Sequence, residues 1–207
     1  MEPAGQWTTC ARFSSQSQES VGGIVSVFRE APNAPRHARS EEAVAGARAY
    51  PTMDTDDIKA MPVRGIAADD AVLWLCATNA HLRVAFDVVE AWGFEYRALL
   101  TWVKDHMGTG EWLRGQTEHC LLAVRGRPVF VRGTHTTVLQ TARREHSRKP
   151  EVFYDLVEET CAGGKLELFC RQRRDGWQVY GNDTVKFWKA GTGTRNANAD
   201  NTILHAS

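Results

Sequence analysis

Lys149, Glu167, Arg171 and Arg174 are the residues of this chain best suited to hold a small charged ligand. They fall in one stretch, from R-R-E-H-S-R-K-P-E at Arg143 to G-W-Q-V-Y-G-N-D ending at Asp183. Pro150 suits the first turn of a helix, where its missing N–H would be unpaired anyway. Val152, Phe153, Leu156 and Val157 then repeat at helical spacing, and Gly163-Gly164 can close the helix. Lys165 to Cys170 reads as a short apolar strand interrupted by one acid, Glu167. A carboxylate there is costly without a partner. A cation and free N–H groups at the helix start, with Glu167, Arg171, Arg173 and Arg174 at the strand end, form a cradle for a zwitterionic, ribose-bearing ligand. A plainer reading stands beside this one. Gly163-Gly164 also serves as a helix stop, the arginines as solvated charges, and Glu167 as the structural partner of one of them.

The elements that would position these groups alternate between strand and helix. Gly23 to Phe28 looks like a strand within an otherwise irregular segment 1–45. Thr55 to Met61 reads as a short helix, started by Asp54 and stopped by Pro62. Ala71 to Ala77 is a continuous apolar run, as expected of a central parallel strand. Leu82, Ala85, Phe86, Val89 and Trp92 form a helical stripe that Gly93 ends. Phe94 to Lys104 and His119 to Val124 are further strands, separated by a glycine-rich loop over 105–115. The domain is expected to span 46–189, with a disordered polar tail over 190–207. This pattern implies an α/β sheet with helices on both faces. No G-x-G-x-x-G follows a strand, which disfavours a nucleotide-binding oxidoreductase.

Composition excludes several classes. A length of 207 residues, 43% hydrophobic content and seven tryptophans suit one globular domain. The 25 basic residues balance 25 acidic ones, so no overall field draws in nucleic acid. The charges are unevenly placed, however. Asp54, Asp56, Asp57, Asp69 and Asp70 crowd one segment, while Arg125, Arg127, Arg132, Arg143, Arg144, Arg148 and Lys149 crowd another, which reads by default as solvated surface charge and otherwise as a local basic face. The five cysteines, at 10, 76, 120, 161 and 170, lack C-x-x-C spacing and read as reduced thiols. No histidine pair has metal-binding spacing, so no metal site is expected. There is no signal-type apolar run and no membrane-length segment, and a cytoplasmic protein is expected.

Several short motifs occur in register. They are Tyr50-Pro51-Thr52-Met53, Leu73-Trp74-Leu75 with Thr78-Asn79-Ala80-His81-Leu82, and Thr101-Trp102-Val103-Lys104. Gly108-Thr109-Gly110-Glu111-Trp112 and Glu118-His119-Cys120-Leu121 follow. Ser147-Arg148-Lys149-Pro150, Glu167-Leu168-Phe169 with Arg171, and Gly181-Asn182-Asp183 complete the set. In this order, the region from Tyr50 to Asp183 resembles the MT-A70 family of adenine-N(6) methyltransferases. The resemblance implies a methyltransferase Rossmann-like sheet, mostly parallel, with permuted motif order. It implies S-adenosylmethionine as cofactor and adenine-containing nucleic acid as partner, with DNA favoured over RNA by the compact length. It also allows a dimer of the family's type. By resemblance, Lys149 meets the methionine carboxylate, Arg171 and Arg174 reach the ribose and methionine ends, and Glu167 supports the arginines. Asn182 and Asp183 line the adenosine side. Tyr50, Lys104 and Glu118 fall on the substrate side, with the 105–115 loop closing over the base.

The chain departs from the family at one point. Members carry an early D-P-P-[WYF] motif, whose acid and backbone carbonyl accept the adenine amino hydrogens and turn its lone pair toward the methyl. Its aromatic residue stacks on the extruded base. That motif is not found. The nearest stretch is Glu30-Ala31-Pro32-Asn33, which leaves the catalytic residue unassigned and Glu30 the one acid near that place. The alternative function is therefore a non-catalytic member, either a nucleic-acid-binding partner or a degenerate remnant.

Overall fold

The structure, a computed structural model, describes residues 53–108, 112–133, 135–142, 148–170 and 173–180, and the backbone of 21–27. The expected tail over 190–207 and most of the segment 1–45 lie outside these residues.

Seven strands form one sheet. They are β1 (Val21–Val27), β2 (Ala67–Thr78), β3 (Glu95–Lys104), β4 (Thr117–Arg125), β5 (Val138–Thr141), β6 (Lys165–Leu168) and β7 (Trp177–Tyr180). Their spatial order is β5-β3-β4-β2-β1-β6-β7. β1 lies parallel between β2 and β6, so the sheet includes a strand that precedes the expected boundary at 46. The β3–β5 and β6–β7 pairs are also parallel. β4 runs antiparallel to both its neighbours, β2 and β3. The apolar run from Ala71 to Ala77 is thus a central strand with one parallel and one antiparallel partner, not a strand in an all-parallel setting. A continuous apolar run records burial on both faces and carries no information on the direction of a neighbour.

Helices cover both faces. On one face α1 (Thr55–Ala60) and α3 (Leu82–Ala91) enclose Ile58, Leu73, Leu75, Val88, Val89, Trp92, Leu121, Leu166 and Leu168. On the other, α4 (Glu151–Thr160) brings Phe153, Leu156 and Val157 against Val72, Trp74, Cys76, Leu100 and Cys120. The alternation of Leu73 and Leu75 with Val72, Trp74 and Cys76 is the strand's two-residue period, here apolar on both sides. Among the described residues, no helix is long and apolar enough to cross a membrane.

The helix boundaries follow from local chemistry. Gly93, at φ 80°, ends α3: its N–H bonds to the Glu90 carbonyl at 2.9 Å and the Phe94 N–H to the Val89 carbonyl at 3.0 Å. A second short helix, α2 (Val63–Ile66), follows Pro62 directly. Pro150 stands at the cap of α4, one residue before the expected first turn, and its carbonyl accepts the Phe153 N–H at 3.0 Å. Val152, expected in the buried stripe of that helix, is exposed, while Tyr154 is buried.

Two further expectations are corrected. Cys76 and Cys120, direct partners across β2 and β4, are joined by a disulfide with Cα atoms 3.9 Å apart. They are not thiols, because a register between strands 44 residues apart brings them together. Cys161 and Cys170 are buried and take no part in this disulfide. The same ladder sets Ala71 opposite Arg125, bringing acids and bases together. The main-chain N–H of Arg127 donates to Asp70 Oδ1 at 2.7 Å, and the Arg125 side chain reaches Asp69 at 3.4 Å. Of the expected basic cluster, Arg125 is thus partnered by an acid.

Candidate functional site

The carboxyl ends of β2, β3 and β6 lie on one rim of the sheet, at Thr78, Lys104 and Leu168. Antiparallel β4 begins on this rim at Thr117, and β1 ends there at Val27. In open α/β sheets this is the rim where ligands bind. Two polar clusters occupy it, with their ion pairs Lys149–Glu167 and Lys104–Glu118 on the face covered by α4.

The first cluster is built on Glu167. With Leu166 and Leu168 turned to the α3 side, the period of two sends Glu167 to the α4 side, where it is 4% exposed. Lys149, just before the helix, is 6% exposed and donates to Glu167 Oε1 at 2.7 Å. Tyr154 donates its hydroxyl to the same oxygen at 2.9 Å. Burial first, then the charge and hydrogen bond of Glu167, push the Tyr154 phenol far up, so it remains a donor. The lone acid in the apolar strand thus has its partners. Arg174 lies 4.0 Å over the Tyr154 ring and pairs with Glu151, as does Arg148 at 3.8 Å. Glu167 therefore supports Lys149, while the arginine beside it takes its support from Glu151. The i, i+3 spacing of Arg148 and Glu151 was a legible signal for that ion pair; nothing local marked Tyr154.

The second cluster joins β2, β3 and β4. Lys104 donates to Glu118 Oε1 at 2.5 Å and sits 4.9 Å above the Trp102 ring. Glu118 is opposite both Thr78 and Trp102 in the ladders, a placement fixed by register alone. On the opposite face, Asn79 donates to the Thr117 carbonyl and hydroxyl at 3.1 and 3.0 Å. Its Oδ1 is thereby left to accept from His119 Nε2 at 2.8 Å, and His119 Nδ1 faces the Thr101 hydroxyl at 3.1 Å. Burial holds the His119 imidazole below the usual histidine value, against the raising influence of Glu118. A neutral ring with its proton on Nε2 satisfies every contact in this network.

β2 and β1 separate Glu118 on β4 from Glu167 on β6, giving three strand spacings, or roughly 14 Å. The chain leaves β1 in this interval, and Glu30 follows three positions after its end. Glu30, Tyr50, Arg171, Asn182 and Asp183 lie outside the described residues. Of the expected site, the structure brings Lys149, Glu167 and Arg174 together, and Lys104 with Glu118. Among the described residues, no group of His, Cys, Asp and Glu could hold a metal ion. In chemical type, the cations around Glu167 and the buried, unbonded Nε–H of Arg173 fit a ligand bearing a carboxylate and hydroxyls.

The family model named MT-A70 matches residues 31–183, well over half of the 207-residue chain. The chain belongs to the MT-A70 family. Among individual relatives, a probable N(6)-adenosine-methyltransferase MT-A70-like protein of Oryza sativa subsp. japonica is 31% identical over 144 residues, 64% of this chain and 20% of that protein. The type II methyltransferase M.MunI of Mycoplasma sp is 32% identical over 136 residues, 64% of this chain and 58% of its own length. The human N(6)-adenosine-methyltransferase catalytic subunit METTL3 is 30% identical over 145 residues, 25% of its length. The chain thus spans about a fifth of the first relative and little more than half of the second. Membership agrees with the mixed, mostly parallel sheet and helices on both faces.

Proposed function

We propose that this chain transfers a methyl group from S-adenosylmethionine to the amino group of adenine in nucleic acid, with DNA favoured over RNA. The observation that carries this reading is the MT-A70 match over residues 31–183, reinforced by two polar clusters on the ligand-binding rim. The cofactor supplies an electrophilic methyl carried on a sulfonium. Lys149, oriented by Glu167, and Arg174, oriented by Glu151, hold its carboxylate end as charge-assisted donors. Arg171, Asn182 and Asp183 complete that side. Lys104, Glu118 and Tyr50 border the adenine. Oriented by Lys104, Glu118 presents its carboxylate at the rim to a donor group of the base.

A second reading, a non-catalytic member that binds nucleic acid, is favoured by one observation: no D-P-P-[WYF] motif occurs, and Glu30 is the one acid near its place. Calorimetric titration with S-adenosylmethionine comes first, followed by labelled methyl transfer to adenine-containing DNA and RNA. Micromolar binding with transfer that Glu30→Ala abolishes is the expected outcome. Binding without transfer selects the non-catalytic reading, and absence of binding removes both cofactor and reaction. Transfer to RNA alone overturns the preference for DNA. Size-exclusion chromatography with light scattering tests the family-type dimer.

A further inference from the structure

We propose that Cys76 and Cys120 form a redox couple that locks β2 to β4 beneath Glu118 and sets the rigidity of the rim bearing Asn79, Glu118 and His119. The two residues face each other directly in the ladder, and the next pairs toward the rim are Ala77 with His119 and Thr78 with Glu118. Beyond these, β2 passes into a single 3-10 turn over Asn79–His81, and β4 has only Thr117 left. The covalent link is thus the last one before the polar clusters. It lies on the same face as Glu118, two positions along β4.

Opening the link changes packing as well as connectivity. Cys76 and Cys120 are 4% and 7% exposed, enclosed with Trp74, Phe153, Val157 and Cys161. Their Cα atoms are 3.9 Å apart. Two unlinked sulfurs need about 3.5–4 Å between them, as other nonbonded heavy atoms do, so the side chains must turn within the cluster or the strands shift. A close-packed interior resists that shift. The short rim segment yields more easily than the core end of the ladder, where Leu73, Leu75 and Leu121 are fully buried.

A vicinal dithiol is the reductant. The Sγ–Sγ bond breaks, each cysteine sulfur gains one electron and one proton, and the dithiol loses both pairs to become a cyclic disulfide. Cys161, packed in the same cluster, has a thiol pushed up by burial and remains protonated. This inference is independent of methyl transfer.

The test uses the full chain purified without reductant. Alkylation under denaturing conditions, read by peptide mapping, is expected to leave Cys76 and Cys120 unlabelled, and to label both after dithiol treatment. Hydrogen exchange is then compared between the oxidised and reduced folded protein. Reduction is expected to lower protection roughly tenfold or more at amides 77–79 and 117–119, leaving α3 and β6 unchanged. The histidine titration of His119, followed by NMR, is expected to move toward the ordinary value as its burial loosens. The double variant Cys76→Ser with Cys120→Ser should reproduce the reduced state; if it does not fold, the reduced native chain provides the same readings. Labelling of Cys76 and Cys120 without reductant would overturn the proposal. So would exchange that is unchanged, or altered uniformly across the sheet, because the link would then be a structural staple.

Discussion

Lys149 Nζ and Glu167 Oε1 lie 2.7 Å apart, with both side chains almost wholly buried. Tyr154 donates to the same oxygen, so a single carboxylate organises the start of α4 and the end of β6. The two charges are tolerable inside because each is the other's partner and a hydroxyl satisfies part of what remains. The pair therefore acts structurally at the site where a carboxylate-bearing ligand is proposed to bind.

Lys149→Ala leaves Glu167 buried with one neutral donor. A loss of about 3–5 kcal/mol in urea unfolding is expected. Replacing both partners, Lys149→Met with Glu167→Leu, should recover most of that loss, because no uncompensated charge remains. A double variant less stable than either single variant would show that the pair is not the source of the effect. At a temperature where Lys149→Ala remains folded, S-adenosylmethionine binding should weaken by about 1.5–3 kcal/mol.

His119 links stability to pH. Its folded-state pKa is depressed by burial below 6.5, so on acidification the unfolded chain takes up the proton first. The stabilisation is fully present above the unfolded value and is lost as pH falls through the folded one. Urea midpoints measured from about pH 7.5 down to about pH 5 should decline, and His119→Gln should flatten that decline. An identical slope in the variant would assign it to other groups.

Glu118 is only about one-third exposed and Lys104 less so, yet their ion pair sits at the rim. Glu118→Gln is expected to change stability by less than about 1 kcal/mol, the usual range for a pair open to solvent. The proposed methyl transfer should fall much further, with S-adenosylmethionine affinity unchanged. Parallel loss of cofactor affinity would remove Glu118 from the adenine side.

Trp92 anchors α1 to α3. Its indole N–H donates to the Ile58 carbonyl at 2.8 Å, and the ring is fully buried. Trp92→Phe should cost about 1–3 kcal/mol through the lost hydrogen bond and partial cavity, and Trp92→Ala about 3–5 kcal/mol. Thermal unfolding of the two variants checks the order.

Gly126 follows β4 at φ 64°, where a Cβ would meet Asp70 Oδ1 at 2.2 Å and the Asp69 carbonyl oxygen at 2.4 Å. Gly126→Ala combines left-handed backbone strain with a clash against main chain, and a loss of at least about 2 kcal/mol is expected. Adding Asp70→Ala should restore only part of it, because the Asp69 carbonyl remains. Full recovery would show that backbone crowding is unimportant there.

Periodicity and punctuation made several elements legible in the sequence. The apolar run around Leu73, the stripe of α3 with its Gly93 stop and the helix after Pro150 all formed. These features depend on neighbours a few residues apart. Glu167 was legible as an acid in need of a partner, and the motif order pointed to the family that the match over 31–183 supports. The short strands β5 and β7 carried too few residues for a periodic signal, and Val152 kept the spacing of α4 while facing solvent.

What the sequence determined by itself was local: which segments are helical or extended, and which charges cannot be buried alone. Tertiary structure decided the direction of β4, the choice of Lys149 and Tyr154 as the partners of Glu167, the pairing of Cys76 with Cys120, and the meeting of Asp69 with Arg125. Each of these depends on strand direction and register between distant segments. A one-residue slip turns every side chain of a strand to the opposite face, so such contacts exist only once the sheet has closed around its core.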